Sequence, residues 1–187
     1  MNNIKLKRRI LNILPELIEK YGIKQPIKVM VYYEKRKYRL ESKYGYKVKM
    51  SNVFTLKYGD EIKKFTLLYS IDFWNDSNYN ELKGNLTHEF GHMLINQSSI
   101  YNNIVDKSSK DNYIAIEMIC DSISIAKGYK KELLESKIYF TNKVFSNMDI
   151  SKVINYNQIL EDGLIIGLPN TIFNYIDGLN INKYDKK

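Results

Sequence analysis

Residues 88–92 read His-Glu-Phe-Gly-His, and these are the only two histidines in a chain of 187 residues. On a helix, positions i and i+4 share one face. Two imidazoles at that spacing can therefore point at one cation, each at about 2.0–2.1 Å if the cation is zinc. Glu89 stands one residue round from the first imidazole. There it can reach a metal-bound water, whose pKa zinc lowers to roughly 7, and take its proton as the water attacks a carbonyl. Chance accounts poorly for the pattern: two histidines fall four apart about one time in a hundred in such a chain, and the adjoining glutamate makes that rarer than about one in a thousand.

A catalytic zinc site needs three protein ligands and one open position. With no third histidine and a single cysteine, Cys120, the missing ligand must be a carboxylate. Asp106, Asp111, Glu117 and Asp121 follow the motif within reach. The first two fall in the polar stretch "NQSSIYNNIVDKSSKDN", where a carboxylate is most simply solvated. Glu117 and Asp121 fall instead in "NYIAIEMICDSISIAKG", four apart on one face of a largely apolar helix. Carboxylates in such surroundings are costly without a cation, although Ser124 and Lys127 also allow this face to be the solvent side. Gly91 costs the motif helix about 1 kcal/mol relative to alanine, which close approach of another backbone would explain.

The elements that must position these residues can be read from pattern. Ile10, Ile13, Leu14, Leu17 and Ile18 recur at helical spacing in an amphipathic first helix. The basic start superficially resembles a signal peptide, but Pro15, Glu16 and Glu19 cut the apolar run short. Strands are expected at about 27–34, 37–42, 46–56 and 64–71, with turn signals at Tyr44-Gly45 and Tyr58-Gly59-Asp60 and antiparallel hairpins across the short connections. Asn78 and Glu81 have the spacing of a capping box, so the motif helix starts near Asn78 and runs to about Asn96. A second helix spans roughly 112–127 and ends at Gly128 in a C-cap. The remainder is helical in pattern, with breaks at Gly163, Gly167 and Pro169. No linker, repeat or low-complexity segment divides the chain, which reads as one α+β domain over residues 1–187.

Composition sets limits. At 44% hydrophobic and 27% charged residues, the chain is expected to be globular. One cysteine excludes an intramolecular disulfide framework and a multi-cysteine zinc finger, and suits a reducing, cytoplasmic setting. No stretch reaches the roughly 20 apolar residues of a membrane span. The net charge of +8 permits an acidic or nucleic-acid-associated partner, but the basic residues are scattered and no nucleic-acid motif accompanies them.

Thr87-His88-Glu89-Phe90-Gly91-His92 followed by Glu117-Met118-Ile119-Cys120-Asp121 resembles the gluzincin pattern: HExxH, then ExxxD on a following helix. The match covers roughly residues 64–128. The resemblance implies a zincin-like fold, with a small mixed or antiparallel sheet packed on the HExxH helix and the glutamate helix, and additional helices at the C-terminus. It implies Glu117 as the third zinc ligand and Asp121 as the carboxylate that orients a ligand histidine and fixes its tautomer. An aspzincin-like reading would instead make Asp121 the ligand. The metzincin pattern fails, because "HEFGHMLINQS" has neither its later glycine nor its third histidine.

The expected activity is that of a zinc metallopeptidase, a hydrolase cutting peptide bonds in a peptide or protein substrate, with Glu89 as general base. It is similar in this to compact intracellular peptidases that act on repressors or DNA-bound proteins. Zincins bind substrate by β-addition to an edge strand beside the active helix, and "KFTLLYSI" feeds directly into that helix; its residues fit a buried core strand at least as well. They also polarise the substrate carbonyl with a donor; Tyr113, one turn before Glu117, is the candidate, ahead of Tyr129. Cys120 is expected to pack in the core. Two other classes stand beside this reading: a catalytically silent zincin-like binding protein, and a basic nucleic-acid-associated protein in which HEFGH is structural.

Overall fold

The computed structural model describes residues 2–44, 49–97 and 110–144. The chain opens with helix α1 (Asn2–Tyr21), whose Leu6, Ile10, Ile13, Leu14 and Leu17 are buried at steps of three and four. Pro15 lies inside this helix without ending it. Strand β1 (Ile27–Tyr32) follows, then a 3₁₀ turn (Glu34–Arg36) and helix α2 (Lys37–Tyr44). Strands β2 (Ser51–Tyr58) and β3 (Glu61–Ser70) form a hairpin, and the short helix α3 (Ile71–Trp74) leads into helix α4 (Tyr79–Gln97). Helices α5 (Lys110–Ala126) and α6 (Lys130–Val144) complete the described chain. The result is an α+β arrangement: a three-stranded mixed sheet with six α-helices among the described residues. No helix among them is long and apolar enough to cross a membrane.

The sheet departs from expectation in three ways. The segment 37–42 is helical, not a strand. Its lysine, arginine, leucine and glutamate favour helix, and Leu40 packs against Tyr32 and Leu68, while Tyr38 is exposed. β1 is not part of a hairpin but runs parallel to β3, with Ile27 opposite Phe65 and Tyr32 opposite Ser70. The candidate substrate-binding edge, β3, is instead the central strand, in keeping with the buried-core alternative: the order is β1-β3-β2, with β2 antiparallel to β3. Its sequence explains this, since Phe65, Leu67 and Tyr69 enter the main core while Leu68 joins Tyr32 on the opposite face. A strand covered on both faces shows a continuous apolar run. The turn expected at Tyr44-Gly45 runs into residues outside those described, as do Gly163, Gly167, Pro169 and the helical pattern around them.

Helix boundaries follow their caps. Asn78 donates its backbone N–H to Glu81 Oε2 at 2.5 Å, and Glu81 returns its own N–H to Asn78 Oδ1 at 2.9 Å. This reciprocal pair satisfies two amides that the helix start leaves unbonded. α5 ends at Gly128, whose φ of 91° suits a residue without a Cβ. The Gly128 N–H reaches the Ile125 carbonyl and the Tyr129 N–H reaches the Ser124 carbonyl, the two bonds of a Schellman cap. Arg9 ties α1 to the approach to α4, its guanidinium donating to the carbonyls of Trp74, Asn75, Ser77 and Asn78.

α4 is the hub. It packs against α1, the sheet, α5 and α6, so residues around its whole circumference are buried, from Leu82 and Lys83 to Met93 and Ile95. Two glycines make the closest approaches possible. A Cβ on Gly91 would lie 2.8 Å from the Cys120 Cα in α5, and one on Gly84 would lie 1.9 Å from the Glu132 carbonyl oxygen in α6. Gly84 and Gly91 stand four before and three after His88, hence on its face of the helix.

Candidate metal centre

Because α5 crosses α4 at Gly91, the expected residues meet. His88 Nε2 lies 3.0 Å from Glu117 Oε2 and 3.2 Å from His92 Nε2, while Glu117 Oε1 lies 3.6 Å from His92 Nε2. The three donor atoms fall within 4.8 Å of one another. Ligands held tetrahedrally at zinc distances stand about 3.3 Å apart, so the spacing fits one ion shared by His88, His92 and Glu117. The donor set, two imidazole nitrogens and a carboxylate, also suits zinc.

Asp121 has another role. Its Oδ1 accepts the Nδ1–H of His88 at 2.6 Å, and Asp121 is 1% exposed. A ring that donates from Nδ1 presents Nε2 toward the other donors. The same Oδ1 accepts from the Lys137 ammonium at 2.9 Å. Lys137 was absent from the sequence reading, yet a signal existed. In α6 it stands four after Leu133 and four before Thr141, both buried, and a lysine on a buried face requires an acidic partner.

The charges are set by these contacts. Burial and the Lys137 charge push His88 down, but its hydrogen bonds to Asp121 and Glu117 outweigh them and lift it to about 9. Burial and the neighbouring His88 charge hold His92 down at about 4. Burial raises the Glu117 carboxyl, yet the His88 hydrogen bond and charge keep it far below the usual carboxylate range. Asp121 is likewise held low against its burial by Lys137 and His88. Without a metal ion, then, one imidazolium, one neutral imidazole and two carboxylates share this cluster.

Glu89 lies on the sheet side of α4, 5% exposed. Burial raises its pKa, partly opposed by the His88 charge and by a hydrogen bond from Ser51. Ser51 begins β2, opposite Tyr69, and its position is fixed by what precedes it. The Met50 carbonyl accepts from the Ser70 amide and the Trp74 indole, and the Lys49 carbonyl accepts from the Tyr32 hydroxyl. Nothing in the spacing of residues along the chain marks Ser51 in advance.

The other expected residues separate. Cys120 is fully buried beside Gly91, and burial, with the carboxylates around it, pushes its thiol far up. Tyr129 is turned away: it stacks on Tyr21 and donates its hydroxyl to Glu16 Oε1 at 2.9 Å. Asp106 lies outside the described residues, and so do the side chains of Asp111 and Tyr113, which stand in α5. A scan of protein-family models and searches of curated proteins and of solved structures found no match to the chain.

Proposed function

We propose that the chain is a zinc-dependent hydrolase of peptide bonds, a gluzincin-like metallopeptidase, with His88, His92 and Glu117 holding the ion. The observation that carries this reading is the convergence of those three side chains beside a buried glutamate from the same helix. When bound, zinc would supply a Lewis acid that polarises a carbonyl and makes water a nucleophile near neutral pH.

The chain's own groups account for the rest. Asp121 holds His88 in the Nδ1–H tautomer, which leaves Nε2 free to coordinate. Glu89, hydrogen-bonded to Ser51, would take a proton from the attacking water at its carboxylate and return it to the departing amine nitrogen. A carboxyl whose pKa is raised by burial is better matched to both halves of that transfer than an ordinary glutamate. Peptide would add along β2, which has no outer neighbour among the described residues and packs against α4; main-chain pairing there places a scissile bond beside the helix. Tyr113 remains the proposed donor to the carbonyl oxygen.

Elemental analysis of the purified protein beside its Glu117→Ala variant tests the reading. The expected result is close to one zinc per chain with clear loss in the variant, followed by cleavage in a peptide library. Absence of stoichiometric metal from the wild type, even after zinc is added, sinks it.

A further inference from the structure

We propose that Lys137 is a positioning residue for the metal centre, holding Asp121 so that Asp121 can hold His88. The inference rests on the reading that His88, His92 and Glu117 bind zinc, and it extends the support of that site to a third helix. Three elements contribute one group each: His88 from α4, Asp121 from α5 and Lys137 from α6, joined as Nδ1–H to Oδ1 at 2.6 Å and Nζ to the same Oδ1 at 2.9 Å. All three are withdrawn from water, the side chains being 8%, 1% and 15% exposed.

The geometry gives Lys137 two tasks. First, a carboxylate oxygen that accepts from two donors in different helices has a fixed place, and so does the imidazole plane that it orients. α6 can deliver Lys137 there because its Glu132 carbonyl lies against Gly84, one turn before His88. Second, Lys137 supplies a charge that persists. With zinc at Nε2, His88 would be neutral and the ion's charge would be shared with Glu117 and Glu89, leaving Lys137 as the cation in direct contact with the buried Asp121. The lysine supplies that direct contact whether or not the metal is bound.

A purely structural role, pinning α6 to α5, predicts lost stability and nothing more. The full-length wild type, Lys137→Met, Lys137→Arg and Asp121→Asn are therefore compared by zinc affinity against a chromophoric chelator. The His88 Nδ1–H proton resonance of the metal-free protein is followed beside it, in a chain with only two histidines to assign. Lys137→Met should bind zinc about ten-fold more weakly and shift that resonance, and Lys137→Arg should restore both. In the Asp121→Asn background Lys137→Met should cost nothing further, since the lysine acts through that carboxylate. A folded Lys137→Met protein with wild-type affinity and an unmoved resonance overturns the proposal. If Lys137→Met does not fold, Lys137→Gln is read in its place by the same criteria. A wild type that takes up no zinc overturns the metal reading itself, and the positioning role with it; wild-type binding with an indifferent variant overturns Lys137 alone.

Discussion

The candidate centre has two unlike walls. On the helical side, His88 is gripped by Asp121, and Asp121 by Lys137, across three helices brought together at Gly84 and Gly91. On the sheet side, Glu89 meets the Ser51 hydroxyl at the start of a strand that has no outer neighbour among the described residues. The helical wall is three helices deep; the sheet wall ends at β2, although Glu89 itself is as buried as His88. Under the proposed reading, holding the metal and using it fall to neighbouring faces of α4, about 100° apart at His88 and Glu89, and substitutions should separate them.

The largest effect is expected on the sheet side. Glu89→Gln should lower peptide turnover by about 10²–10⁴-fold while zinc content, read by elemental analysis, stays at the wild-type level. Loss of zinc together with turnover would merge the two walls into one. Next is Gly84→Ala on the helical side, where the added methyl meets the Glu132 carbonyl backbone. Forcing α6 away should cost about 3 kcal/mol, at the upper end for overpacking, and urea unfolding of the metal-free protein measures it. Unaltered stability would mean that α6 does not approach α4 there.

Asp121→Asn should weaken zinc binding by about 10–100-fold, followed by chelator competition; retention of wild-type affinity would show that the helical support is idle. The smallest effect belongs to Ser51→Ala. Turnover should fall about five-fold, the equivalent of about 1 kcal/mol, with zinc affinity unchanged. A change in affinity instead of rate would place Ser51 on the metal-holding side and blur the contrast.

What could be read in advance follows the range of the interactions. The Asn78–Glu81 box, the Gly128 cap and the face shared by Glu117 and Asp121 are all local, and each is set within a few residues. Gly91 was legible as a close approach, though the sequence did not say that Cys120 would be the neighbour. Strand partners were not legible, because alternation along a strand says which side is buried and nothing about who lies beside it. The apolar run of β3 did carry the information that it is central, since Phe65 to Tyr69 fills both faces; its place next to the motif in sequence suggested an edge instead. Residues 37–42 mixed aromatic and charged residues in a way that fits a strand, and helix propensity with the Leu40 contact decided otherwise. Lys137 needed periodicity and charge to be weighed together, and Ser51 needed the sheet register.

The hairpin holds one more consequence. An unpaired strand edge recruits any extended chain, other copies of the same protein included, and so invites aggregation. β2 carries exposed Leu56 and Tyr58 toward its far end, where such recruitment would be most damaging. The register between β2 and β3 slips between Leu56 and Lys57, after six regular pairs from Ser51 to Leu56. An irregularity of this kind twists an edge out of line and breaks its hydrogen-bonding row, and the lysine that follows adds charge at the same place. Among the described residues the edge is thereby regular only from Ser51 to Leu56, the part nearest α4, which limits the straight strand open to a second copy.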